Sequence, residues 1–206
     1  MALYLPEKNV VFLHIPKCGG FWVEEALLRA GVSVQLLPNP QDPLRADRHA
    51  NLEQIDRKPD MVCAFIRHPL MWYESWWKYS AGKPHNWDRW DWHPTYPLQT
   101  CRHFDFNEFI ERVLAKKAGF LTRLYAHYLG DLSEPLVHMI GRVERMADDF
   151  LAMLRAIGVE VDPDVIRNLP PQNPSYCPLG SPVWREDQEQ AVLESEKAII
   201  NRWYRD

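Results

Sequence analysis

The sequence predicts an α/β protein built on a mostly parallel sheet, and three observations carry that prediction. Short apolar runs recur at 9–15 (NVVFLHI), 61–66 (MVCAFI) and 135–140 (PLVHMI). Segments with apolar residues at helical spacing follow them. Neither an internal repeat nor a low-complexity linker divides the 206 residues, which suit one compact domain, 1–206, with a full core. Strands that are apolar on both faces and alternate with helices belong to parallel sheets.

Each element has its own warrant. The run 9–15 is β-branched and unbroken, as in a strand buried on both faces. PKCGG (16–20) is turn material. FWVEEALLRAG then spaces Trp22, Val23, Ala26, Leu27 and Ala30 helically, with Gly31 as a C′ stop. After the strand at 61–66, Pro69 suits the first turn of a helix to about residue 80, with Gly82 past its end. Asp105 with Glu108 three residues on predicts a capped helix to about 117. Another helix is predicted at 119–129, closed by Gly130. A third strand is predicted at 135–140. Residues 145–157 are amphipathic, with Met146, Phe150, Leu151, Leu154 and Ile157 on one face and Gly158 beyond. A Pro-rich loop at 170–183 precedes a last helix over 185–204.

Composition excludes several classes. Charged residues are 25% and hydrophobic ones 46%, which a disordered chain does not carry. No apolar run approaches the roughly 20 residues of a membrane span. The start, MALYLPEKNVVFLHIP, lacks a basic n-region, so no signal peptide is expected. A net charge of −4 argues against nucleic acid as partner, though a small polyanion needs only a local cluster of cations. Cys18, Cys63, Cys101 and Cys177 form no CxxC pair, so a reducing, cytoplasmic setting is expected and no metal site. His85, His93, Cys101 and His103 lie near one another in sequence, but fit no metal template.

A buried strand running through PKCGG into a helix is physically an anion site. The glycines let the backbone wrap closely, and the helix start adds its positive dipole end. Lys17 sets a cation beside it. The turn lacks the GxxxxGK[ST] spacing, and read on spacing alone an ordinary tight turn with a surface lysine explains it equally well. Arg67 closes the second strand, and Ser75 lies about two turns into the next helix. Both can reach one phosphate at the strand's carboxyl end, where α/β sheets bind ligands.

These segments carry a family resemblance. HIPKCGGFWVEEAL resembles the 5′-phosphosulfate-binding loop of the sulfotransferases that use 3′-phosphoadenosine 5′-phosphosulfate (PAPS). FIRHPLMWYESWWKY is similar to that family's 3′-phosphate-binding segment, an Arg at a strand end with a Ser eight residues later. GRVERMADDFLAMLRAIG (141–158), QNPSY (172–176) and RHANLEQI (48–55) are similar, in order, to its later strand–helix unit, its late nucleotide-contacting loop and its His-containing segment. The resemblance implies a P-loop-NTPase-like three-layer α/β/α fold. It also implies sulfuryl transfer from PAPS to an acceptor hydroxyl, with adenosine 3′,5′-bisphosphate as product and no metal. Lys17 would neutralise the leaving phosphate. Cys18, Gly19, Gly20, Phe21 and Trp22 would offer backbone donors to the 5′-phosphate. Arg67 and Ser75 would bind the 3′-phosphate, and Asn173 and Ser175 would contact the nucleotide. Phe21 departs from the pattern, because the family usually has Thr or Ser there and a phenyl ring cannot donate a hydrogen bond.

A base must take the acceptor's proton. His49 by itself reads as a solvated residue, and the resemblance makes it the candidate; an unperturbed imidazole, with a pKa of about 6.5, suits the task. Glu53, one helical turn on, is the alternative base or an orienting partner. Glu24 and Glu25 read as solvated helix positions, and His14 as a structural residue. Cys18 has the surroundings of a reactive thiol, at a helix start beside Lys17, but the chemistry needs only its backbone.

Six of nine tryptophans fall between Trp72 and Trp92. Trp72, Trp76 and Tyr79, and likewise Tyr73 and Trp77, are spaced as the apolar stripe of a helix, which usually faces the sheet. Trp87, Trp90 and Trp92 alternate with Asp88, Arg89 and Asp91, as in an insertion or lid at about 80–100. Their flat faces suit a carbohydrate or another small-molecule acceptor, and an aromatic subcore suits them equally. Two rival functions stand beside the sulfotransferase. A kinase of related fold lacks, in Cys18, the hydroxyl that holds Mg²⁺ after the lysine. A non-catalytic nucleotide- or glycan-binding protein would keep the shell and lose turnover through Phe21.

Overall fold

The computed structural model of the protein describes residues 2–39, 42–46, 49–55, 57–82, 93–172 and 177–205. In chain order the elements are β1 (Leu3–Leu5), β2 (Val10–Leu13), α1 (Gly20–Arg29), β3 (Gln35–Leu36), β4 (Pro38–Asn39), β5 (Asp42–Ala46), β6 (Met61–Ile66), α2 (Pro69–Gly82), α3 (Phe106–Lys117) and α4 (Phe120–Leu129). β7 (Met139–Arg142), α5 (Met146–Ala156), α6 (Pro163–Arg167), α7 (Glu186–Ser195) and α8 (Lys197–Trp203) complete the chain. It forms two compact units, Met1–Arg67 with His127–Asn173, and His68–Ala126 with Pro174–Asp206.

The first unit holds a five-stranded sheet in the order β3-β1-β2-β6-β7. β2, β6 and β7 are parallel, as the apolar runs predict. β1 is antiparallel to both β2 and β3, so the sheet is mixed rather than mostly parallel. The reason is local. Residues 6–9 join β1 to β2 in a turn too short for a parallel crossover. Asn9 closes that turn with φ 49, and its Oδ1 accepts from the Tyr4 hydroxyl at 3.2 Å. β4 and β5 form a separate two-stranded ladder.

Register sets the core. Phe12 pairs with Cys63, so Phe12 and Phe65 share one face of the sheet, and Gly141 pairs with Phe65. Phe150 of α5 meets Phe12, Phe65 and Trp22 there, with ring centroids 5.9, 6.4 and 5.5 Å away. β7 starts later than the run at 135–140 implies. His138 replaces a ladder pair with a mixed one: its backbone N–H donates to the Val62 carbonyl, and its Nδ1 accepts from the Val62 N–H at 3.0 Å. α1 stops as expected. Gly31 adopts φ 70, and the Val32 N–H reaches back to the Leu27 carbonyl.

The described elements of the second unit are helices. Asp105 caps α3 through its side chain, which accepts from the Glu108 N–H at 2.9 Å. Trp72, Tyr73, Trp76 and Trp77 are buried. Trp72 stacks on Trp76 at 6.1 Å, and the further partners of the stripe include Phe120 and Phe106. α2 runs through Gly82, beyond the end at about residue 80 that the sequence predicts. Gly82 is not among the positive-φ glycines, so it acts as an ordinary helical residue. The helix predicted over 185–204 is broken at Glu196, whose side chain is fully buried.

Candidate functional site

The turn between β2 and α1 is where the sequence predicts chemistry. Its backbone is left-handed at Lys17 (φ 65) and Gly19 (φ 80). Left-handed residues along a turn swing successive N–H groups toward one concavity, and a lysine held there stores strain typical of functional sites. Gly19 is the residue before α1, and no side chain caps that helix start. Two of the five expected backbone donors are spent inside the turn. Cys18 N–H donates to the Ile15 carbonyl at 3.1 Å, and Trp22 N–H to the Gly19 carbonyl at 2.9 Å. The Gly19, Gly20 and Phe21 N–H groups are the other three, at a helix start whose first N–H groups have no intrahelical acceptor. Close packing requires Gly20, and the left-handed backbone requires Gly19, whose Cβ would clash only with the flexible end of Met146. A Cβ on Gly20 would lie 2.3 Å from His14 Cδ2, and one on Gly19 would lie 2.4 Å from Met146 Cε.

His49 is brought to this turn from 35 residues away. Its Nδ1 lies 3.2 Å from the His14 carbonyl, and the two imidazoles stand 5.0 Å apart. A carbonyl only accepts, so Nδ1 carries the proton and the neutral ring's lone pair sits on Nε2. The segment is fastened on both sides of the ring. The Tyr128 hydroxyl donates to the His49 carbonyl at 2.9 Å. Asn51 and Gln54 form a reciprocal capping box, and the buried Asn51 side chain meets His127 Nε2 at 3.3 Å. The sequence carries the signal for that box, an Asn followed three residues later by Gln, but nothing local announces Tyr128. Glu53 is exposed, and the His14 carbonyl is one group that holds the ring.

Arg67 also comes to the turn. Its Nη1 donates to the Lys17 carbonyl at 3.3 Å. Phe21 is 39% exposed and sets its ring edge-on to His14 at 5.7 Å. Cys18 is buried. Ser75 is buried on α2, in the second unit. Trp87, Trp90 and Trp92, and Asn173 and Ser175, lie outside the described residues.

None of the four cysteines forms a disulfide, and all four are buried. Desolvation pushes the Cys63 thiol up to about 12 and raises that of Cys101. Among the described residues no three His, Cys, Asp or Glu side chains gather as a metal site would need. No helix among them is long and apolar enough to cross a membrane. The turn's two glycine N–H groups, with Lys17 and Arg67 beside them, have the chemistry of an anion-binding site and fit a phosphate group. The chain matches no protein-family model, no curated protein and no solved structure.

Proposed function

We propose that the protein is a PAPS-dependent sulfotransferase acting on an acceptor hydroxyl. One observation supports this above the others: an imidazole with a fixed tautomer stands beside a cationic, glycine-built turn at a helix start. A base next to an anion cradle is what sulfuryl transfer requires, since positioning and charge stabilisation dominate such reactions. When bound, PAPS supplies the sulfuryl group and leaves as adenosine 3′,5′-bisphosphate. Lys17 and the Gly19 and Gly20 N–H groups hold the 5′-phosphate and offset charge on the leaving group. Arg67 binds the 3′-phosphate. His49 accepts the acceptor's proton on Nε2, with the ring steadied by the His14 carbonyl. A P-loop-like three-layer arrangement goes with this reading, supported by the parallel strands β2, β6 and β7 and the turn at the end of β2. A cytoplasmic site of action goes with it too, supported by four cysteines outside any disulfide.

The exposed phenyl of Phe21 favours one alternative, a nucleotide- or glycan-binding protein without turnover. Calorimetric titration with adenosine 3′,5′-bisphosphate, with ADP alongside, tests the proposal. Tight binding of the bisphosphate but not ADP is expected. Binding of neither would discard the nucleotide site and leave glycan binding as the better reading.

A further inference from the structure

We propose that Arg142 is a third cation of the same anion site and binds the nucleotide's 3′-phosphate beside Arg67. This rests on the nucleotide reading above. Lys17 follows β2, Arg67 follows β6, and Arg142 ends β7. These are three adjacent parallel strands, so their carboxyl ends lie along one edge of the sheet. Register brings the backbones close. Arg142 pairs with Ile66, the residue before Arg67, and Arg67 in turn donates to the Lys17 carbonyl. Ligands of α/β sheets sit at this edge.

The charge of the ligand asks for a third cation. A nucleotide with two phosphate monoesters carries close to four negative charges at neutral pH, since each second ionisation lies near pH 6. Lys17 and Arg67 supply two positive charges. Arg142 is half-buried and its backbone is anchored, so its side chain starts from a fixed point. Asp149 does the anchoring: Oδ2 accepts from the Arg142 N–H at 2.8 Å, and Oδ1 lies 3.7 Å from Arg145.

The test is calorimetry on the whole protein and its Arg142→Ala, Arg142→Gln and Arg142→Lys variants. The probes are adenosine 3′,5′-bisphosphate, adenosine 5′-monophosphate and inorganic pyrophosphate. Losing a hydrogen bond to a charged group costs about tenfold or more in affinity. Both neutral variants are therefore expected to bind the bisphosphate about tenfold more weakly, with monophosphate affinity and melting temperature held and partial recovery in Arg142→Lys. Unchanged bisphosphate affinity in both neutral variants overturns the assignment while leaving the nucleotide reading intact. An equal loss for bisphosphate and monophosphate also overturns it, because the 3′-phosphate would not be what Arg142 reads. Pyrophosphate binding that depends on Arg142, with neither nucleotide bound by the wild type, overturns the nucleotide reading and keeps Arg142 as an anion ligand. Wild-type protein that binds none of the three overturns both.

Discussion

Gly20 shows how a single hydrogen decides the site. The space a Cβ would fill is occupied by the His14 ring, at 2.3 Å, and that ring stands 5.0 Å from His49. Gly20→Ala is expected to cost about 1–3 kcal/mol through overpacking, measured by urea unfolding, and to lower turnover because the imidazole pair must shift. Lys17→Ala and Arg67→Ala are each expected to weaken adenosine 3′,5′-bisphosphate binding about tenfold or more, since each takes a cation from a phosphate. Unchanged affinity in both would remove the site assignment. His49→Ala should leave that affinity intact and cut transfer about 10²–10⁴-fold, the usual worth of a general base. Wild-type turnover in that variant would pass the role to another group, Glu53 first.

Helix ends carry the next level of organisation, and Glu196 is the clearest case. Its fully buried carboxylate accepts from the Tyr73 hydroxyl at 2.7 Å and from the Leu121 and Thr122 N–H groups at 3.1 and 2.8 Å. The Thr122 hydroxyl adds a fourth bond at 2.6 Å. One side chain thus caps the start of α4 from another element, and the chain breaks between α7 and α8 at the residue that does so. Burial first, and then Glu196 itself, hold the Tyr73 hydroxyl well above its ordinary pKa, so it stays a donor across the neutral range. Glu196→Ala leaves several buried donors without their acceptor and is expected to cost about 3 kcal/mol or more. Glu196→Gln keeps one acceptor oxygen and should cost less. Equal stability of Glu196→Ala and wild type in urea unfolding would contradict this account.

For the molecule as a whole, the buried thiols give a direct probe. Cys18 and Cys63 belong to the first unit, Cys101 and Cys177 to the second, and all four are buried. With its thiol pushed up to about 12, Cys63 is ionised to roughly one part in 10⁴ at pH 8. All four are expected to resist a disulfide reagent in the folded protein and to react once urea unfolds their unit; fast labelling of Cys63 in native buffer would contradict the burial described. The sequence by itself determined the elements whose causes are local. β2, β6, α1, α3 and the glycine that ends α1 were legible, because an apolar run, a 3.6-residue period, an Asp cap and a left-handed glycine act within a few residues. The turn at Lys17 was legible for the same reason. Tertiary structure alone decided the rest. The antiparallel β1 came from a short turn beside a strand too brief to stand out. The break at Glu196 came from unfilled helix donors 74 and 75 residues away. Bringing His49 to the PKCGG turn took the His14 carbonyl, 35 residues away, and the Tyr128 hydroxyl, 79 residues away. A buried polar group must find a partner wherever the fold provides one, and neither periodicity nor composition records which partner that is.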